Sequence, residues 1–205
     1  MNKNKLFIIL LLISPFFWWQ FLNQHNPIFS EYRQIPFFVS HKISSIFLNT
    51  QPINEFRWND VTENNRPLIG KLFYNKSHLL LSETITYLNI LNPRFYFQSG
   101  SGQTDSPPQV EPIACLLFPV SILGIFKLIK KYSFKIIFLA LFSCFFGYIT
   151  GHLSVYFLFP AILFYLYTGA YEISTWSNKF RNIYLLIFLI YSIFLFFRVL
   201  LITNL

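Results

Sequence analysis

Apolar positions in this chain come in long runs rather than in alternation. The first runs from Leu6 to Leu22, and four more follow at Ile113–Ile129, Ile136–Thr150, Val155–Tyr171 and Tyr184–Ile202. Each approaches the ~20 residues a helix needs to cross a bilayer. Between the first and second runs the pattern changes. There Ile35, Phe38, Val39, Ile43, Ile46 and Phe47 recur at steps of three and four, and Leu68, Leu72, Leu79, Ile85 and Leu88 continue in the same way. That spacing predicts amphipathic helices. Pro67 suits the start of the second of them and Asn92-Pro93 its end. The expected fold is an all-α integral membrane protein with about five transmembrane helices. Residues 1–22 would form an N-terminal anchor, 23–112 an external, partly amphipathic helical segment, and 113–205 a four-helix transmembrane region.

Composition supports this. Of 205 residues 54% are hydrophobic and only 12% are charged, where soluble domains carry about a quarter. The charge is unevenly placed. Residues 23–112 hold seven basic and seven acidic residues, so the net +8 comes from nine basic residues and the single acid Glu172 elsewhere. The basic residues flank the apolar runs: Lys3 and Lys5 before the first, Lys127 at the end of the second with Lys130, Lys131 and Lys135 after it, Lys179 and Arg181 before the last. Positive-inside counting puts all three groups in the cytoplasm with the N-terminus, and residues 23–112 outside a cell membrane. A basic excess so placed is a topology signal, and no nucleic-acid partner is expected.

The first run closes with Pro15-Phe16-Phe17-Trp18-Trp19. Bulky aromatics suit a membrane interface better than a signal-peptidase site, so an uncleaved anchor is the favoured reading. The third and fourth runs are tightly coupled. The 36 residues from Ile136 to Tyr171 make roughly 54 Å of helix, against about 60 Å for two crossings of a ~30 Å core. Their turn at Gly151-His152-Leu153-Ser154 then sits at or just below the outer headgroups. The helices of the external segment lie along the outer membrane surface or pack as a small cap.

Candidate chemistry is sparse. Cys115 and Cys144 lie in apolar runs and make no CxxC pair, the four histidines are isolated, and no metal or cofactor motif occurs. The acids of the external segment, Glu31 first among them, are the pool of general bases. Arg198 lies near the outer end of the last run. It either snorkels to the interface or joins His152 in clamping the phosphate of a bound lipid.

The stretch Asn75-Lys76, then Tyr87-Leu88-Asn89-Ile90-Leu91-Asn92-Pro93-Arg94-Phe95-Tyr96-Phe97-Gln98-Ser99-Gly100, followed by Pro119 to Gly124 and Tyr156 to Pro160, resembles bacterial C-type membrane glycosyltransferases. These are the multi-span enzymes of the aminoarabinose-transferase and protein O-mannosyltransferase kind. The resemblance covers roughly residues 66–170 and implies outer-leaflet lipid binding and sugar transfer from a polyprenyl-phosphate carrier. Two departures bear on activity. The family's Gly-Asp stands here as Gly100-Ser101, and the loop after the first span offers only Glu31 as the family's catalytic acid. The chain also has about five spans where the family commonly has eight or more. The expected function is therefore that of a reduced, non-catalytic relative that binds a polyprenyl-linked lipid or assists a membrane protein partner. Two alternatives stand: an active transferase with Glu31 as base and His152 and Arg198 at the phosphate, and a structural subunit of a membrane complex.

Overall fold

The computed structural model describes residues 2–22, 33–48, 54–55, 58–59, 76–98, 110–132, 134–150 and 155–203. Among them every regular element is helical: α1 (Lys3–Ile13), α2 (Pro15–Leu22), α3 (Ile35–Leu48), α4 (Lys76–Asn89), α5 (Arg94–Phe97), α6 (Leu117–Tyr132), α7 (Phe134–Ser143), α8 (Phe145–Thr150), α9 (Val155–Ser174) and α10 (Asn178–Thr203). The all-helical fold class is as expected. One described helix, α10, is long and apolar enough to cross a membrane, with 24 residues over Asn178–Leu201 and a mean hydropathy of 2.5 in its 18-residue apolar window; Phe134–Thr150 is a shorter apolar stretch.

Two of the apolar runs are interrupted where a continuous helix was expected. The first breaks at Ser14, which adopts φ −67° and ψ 140°, because the ring of Pro15 disfavours helical backbone in the residue before it. Pro15 then opens α2, where its missing N–H costs nothing. The Phe16 amide, one of the orphan donors of that first turn, is met from outside the helix by the Pro112 carbonyl at 3.0 Å. The second break falls at Cys144, between α7 and α8. Three side chains draw on the carbonyls just before it. Ser143 Oγ and Cys144 Sγ both donate to the Ala140 carbonyl, and the Tyr87 hydroxyl donates to that of Leu141. Such back-bonding competes with the helical ladder and bends it.

At the centre α6 and α9 lie side by side and run the same way. Ser121 Oγ donates to the Tyr165 carbonyl, the Gly124 backbone abuts Thr168, and Lys127 reaches Glu172 and Thr175. Small residues allow this approach. A β-carbon on Gly124 would lie 2.0 Å from the Thr168 carbonyl oxygen, and one on Gly169 would lie 2.9 Å from a Leu117 methyl. Leu117, Leu128, Ile162, Leu166 and Ile173 are almost wholly buried here. Helix α1 packs antiparallel on α9, with Lys3 and Phe7 at Tyr167 and Phe16 of α2 at Phe159.

The outward faces are the reverse of a water-soluble protein's. Phe134, Phe138 and Phe142 of α7, and Phe180, Ile190, Phe194 and Leu201 of α10, are all more than half exposed. Contiguous apolar surface of this kind marks contact with lipid or protein.

Candidate functional site

Residues 87–98 fold into a corner seated on α9. Helix α4 ends at Asn89, and the Asn92 side-chain carbonyl accepts the Arg94 amide at 3.0 Å to start α5. Tyr96 is fully buried, and its hydroxyl donates back to the Ile90 carbonyl at 2.6 Å. Its own carbonyl accepts the Ile113 amide at 2.9 Å, which ties the corner to the entry of α6. Tyr165 of α9 packs tilted against Tyr96 and edge-to-face against Phe97, with ring centroids 5.0 and 5.2 Å apart, and its hydroxyl donates to the Leu91 carbonyl. The described hydroxyls of the corner are thus spent on backbone carbonyls.

Beside it sits a charged cluster from three elements. Lys42 of α3 pairs with Glu83 of α4 at 2.9 Å, and the Tyr148 hydroxyl of α8 donates to the same carboxylate at 2.7 Å. The Lys42 ammonium also lies 4.7 Å from the centre of the Tyr148 ring, a cation–π geometry. Burial alone would raise the Glu83 carboxyl. The hydrogen bonds from Lys42 and Tyr148 and the Lys42 charge outweigh it and hold the group below the usual carboxylate range. A depressed folded value means the cluster stabilises the docking of α3 and α4 above that range, and the contribution is lost as pH falls through the folded value. Hydrogen exchange of residues 80–89, corrected for intrinsic rate, should show protection falling between pH 7 and pH 3. The loss should be below about 1 kcal/mol, since both side chains retain water contact, and Glu83→Gln should abolish the pH step.

A second acid holds the last helix. Glu111 is 5% exposed. One of its oxygens accepts the Tyr191 hydroxyl at 2.7 Å and the Cys115 amide at 3.3 Å. Cys115 Sγ is 3.2 Å from the Tyr191 oxygen. With that hydroxyl proton given to Glu111, the thiol is the donor to it. This ties α10 to the loop entering α6.

The opposite end of the central pair gathers the basic residues. Lys3 lies by Tyr167, Lys131 by Tyr171, and Lys127 donates to Glu172 at 2.7 Å. Glu172 is 3% exposed; its paired oxygen also accepts from the Trp176 indole at 3.1 Å, and its other oxygen has no partner among the described residues.

Of the site residues expected from sequence, Glu31 and His152 lie outside the described residues, as does the helix start at Pro67. Arg198 is exposed near the end of α10, so the clamp has one described member. No group of three or more metal-ligating side chains occurs among the described residues. Comparison with families of known proteins, with curated proteins and with solved structures finds no match, so function is argued from the chain's own residues. Sequence reasoning missed the Glu83, Glu111 and Glu172 clusters. Only Glu172 gave a signal, as the lone acid outside residues 23–112.

Proposed function

We propose that the chain is a five-span membrane protein. Its N-terminus and basic turns face the cytoplasm and residues 23–112 face outside. We further propose that it acts as a reduced, non-catalytic relative of the C-type glycosyltransferases, holding a polyprenyl-linked lipid or assisting a larger membrane partner. The observation that carries the membrane placement is the meeting of Lys3, Lys127 and Lys131 at one end of α9. Lys3 comes from α1 and the other two from α6, regions more than a hundred residues apart in the chain. Their gathering at one end is what alternating crossings would produce. The non-catalytic reading is supported by Ser101 in place of the family's acid and by the commitment of the corner's hydroxyls to backbone.

Two measurements test it. In a Cys115→Ser, Cys144→Ser background, Asp60→Cys should be labelled on intact cells by a membrane-impermeant thiol reagent and Lys131→Cys should be protected. The reverse pattern would overturn the topology. Sugar transfer from a polyprenyl-phosphate donor should be absent in vesicles of both the wild type and Glu31→Gln. Transfer by the wild type that Glu31→Gln abolishes would establish the active-transferase alternative instead.

A further inference from the structure

Arg181 stands out among the charged side chains. It is 8% exposed, on the face of α10 that also buries Phe188, Ser192, Leu195 and Val199 at helical spacing. Its terminal nitrogen donates to the Asn178 side chain, while Nε is buried with no partner among the described residues. The Lys127–Glu172 and Lys42–Glu83 ion pairs leave it out. A guanidinium buried without an acid is costly, because desolvation is not offset by a counter-charge.

The space beside it is shaped for a ligand. A groove of about 590 Å³ runs along the start of α10, lined by Trp176, Ser177, Phe180, Ile183, Tyr184 and Ile187. That volume falls within the ~300–1,000 Å³ of small-molecule sites. Ser177 and Tyr184 of the lining stand four residues before and three after Arg181, so they are its neighbours along the helix surface. The walls are apolar except for the Ser177 hydroxyl and the polar edges of Trp176 and Tyr184, and those two rings are the types that settle at a membrane interface. The charge around the groove is net positive. Among the described residues Glu172 is the neighbouring acid, and it pairs with Lys127 rather than with Arg181.

We propose that this groove seats an acyl chain of an anionic phospholipid from the leaflet at the basic end, whose phosphate pairs with the guanidinium charge of Arg181. The inference rests on the membrane placement above. The lipid commits the site to an amphiphile: the groove takes the chain and the guanidinium takes the oxygens, in the charge-assisted, fork-like manner that suits arginine.

The full chain is to be extracted in mild detergent, offered mixed phosphatidylglycerol and phosphatidylcholine vesicles, and read by native mass spectrometry. The wild type should retain phosphatidylglycerol over phosphatidylcholine by about tenfold, the scale of one charge-assisted hydrogen bond. Arg181→Gln should bring the two to parity, and Ile187→Trp, which fills the groove from an exposed position, should lower retention of both. A preference that survives Arg181→Gln, or retention that survives Ile187→Trp, overturns the proposal. So does displacement of the lipid by inorganic phosphate, which would mark a site for free anions. Release of the wild-type chain from membranes by alkaline carbonate would instead defeat the membrane placement itself.

Discussion

Gly124→Ala is expected to part the two central helices and to cost about 3 kcal/mol or more, at the upper end of overpacking effects. The added methyl would stand 2.0 Å from the Thr168 carbonyl oxygen and 2.7 Å from its carbon. Both are backbone atoms inside α9, so no rotamer change relieves the clash, and the whole of one helix must move. Ser121, Lys127 and Gly169 make their contacts on the same seam and would be strained together. Gly147→Ala is the control, since its nearest neighbour is a Leu158 methyl at 3.1 Å, which a side-chain adjustment relieves at a cost below about 1 kcal/mol. Thermal melting of the purified proteins should separate the two variants clearly. Equal shifts would mean that the central helices are not in backbone contact.

The second large effect concerns Lys127. Its ammonium is the charged partner of the buried Glu172 carboxylate, while its own side chain is half exposed. Lys127→Ala strands an acid that is 3% exposed, and removing one partner of a buried pair costs more than removing both. We expect a loss of about 2 kcal/mol, scaled down from the ~3–5 kcal/mol of fully enclosed pairs because water reaches the lysine. The double variant Lys127→Ala, Glu172→Gln should recover much of it. The Trp176 indole donates to the same carboxylate oxygen, so tryptophan emission should shift in Lys127→Ala. Additive losses in the double variant would contradict the pairing.

Local features of the fold were legible because they depend on neighbours in sequence. The three- and four-residue spacing from Ile35 to Phe47 predicts a helix, and α3 spans Ile35–Leu48. Asn92-Pro93 predicts the end of α4, which stops at Asn89. Hydrophobicity alone hid the two breaks. Ser14-Pro15 could have been found from the proline rule. The interruption at Cys144 could not, because one of its donors, Tyr87, is 54 positions away from Leu141. The same holds for the polar clusters. Lys42 and Glu83, Glu111 and Tyr191, and Lys127 and Glu172 are brought together by packing, and no spacing rule links residues that far apart. The start of α6 at Leu117, four residues later than the apolar run suggests, has the same origin: Ile113 is held by the Tyr96 carbonyl and cannot yet turn into helix.

Because α6 and α9 point in one direction, they cannot zip together as a hairpin while the chain emerges from the ribosome. Lys127 meets Glu172 only across 45 positions, after α7 and α8 have doubled back between them. The molecule's tightest joint is therefore also a late one, since contacts between distant positions carry the largest loop-closure cost. A nascent chain halted at residue 150 would lack α9, and the bare backbone at Gly124 would be without the Thr168 backbone it abuts in the finished fold.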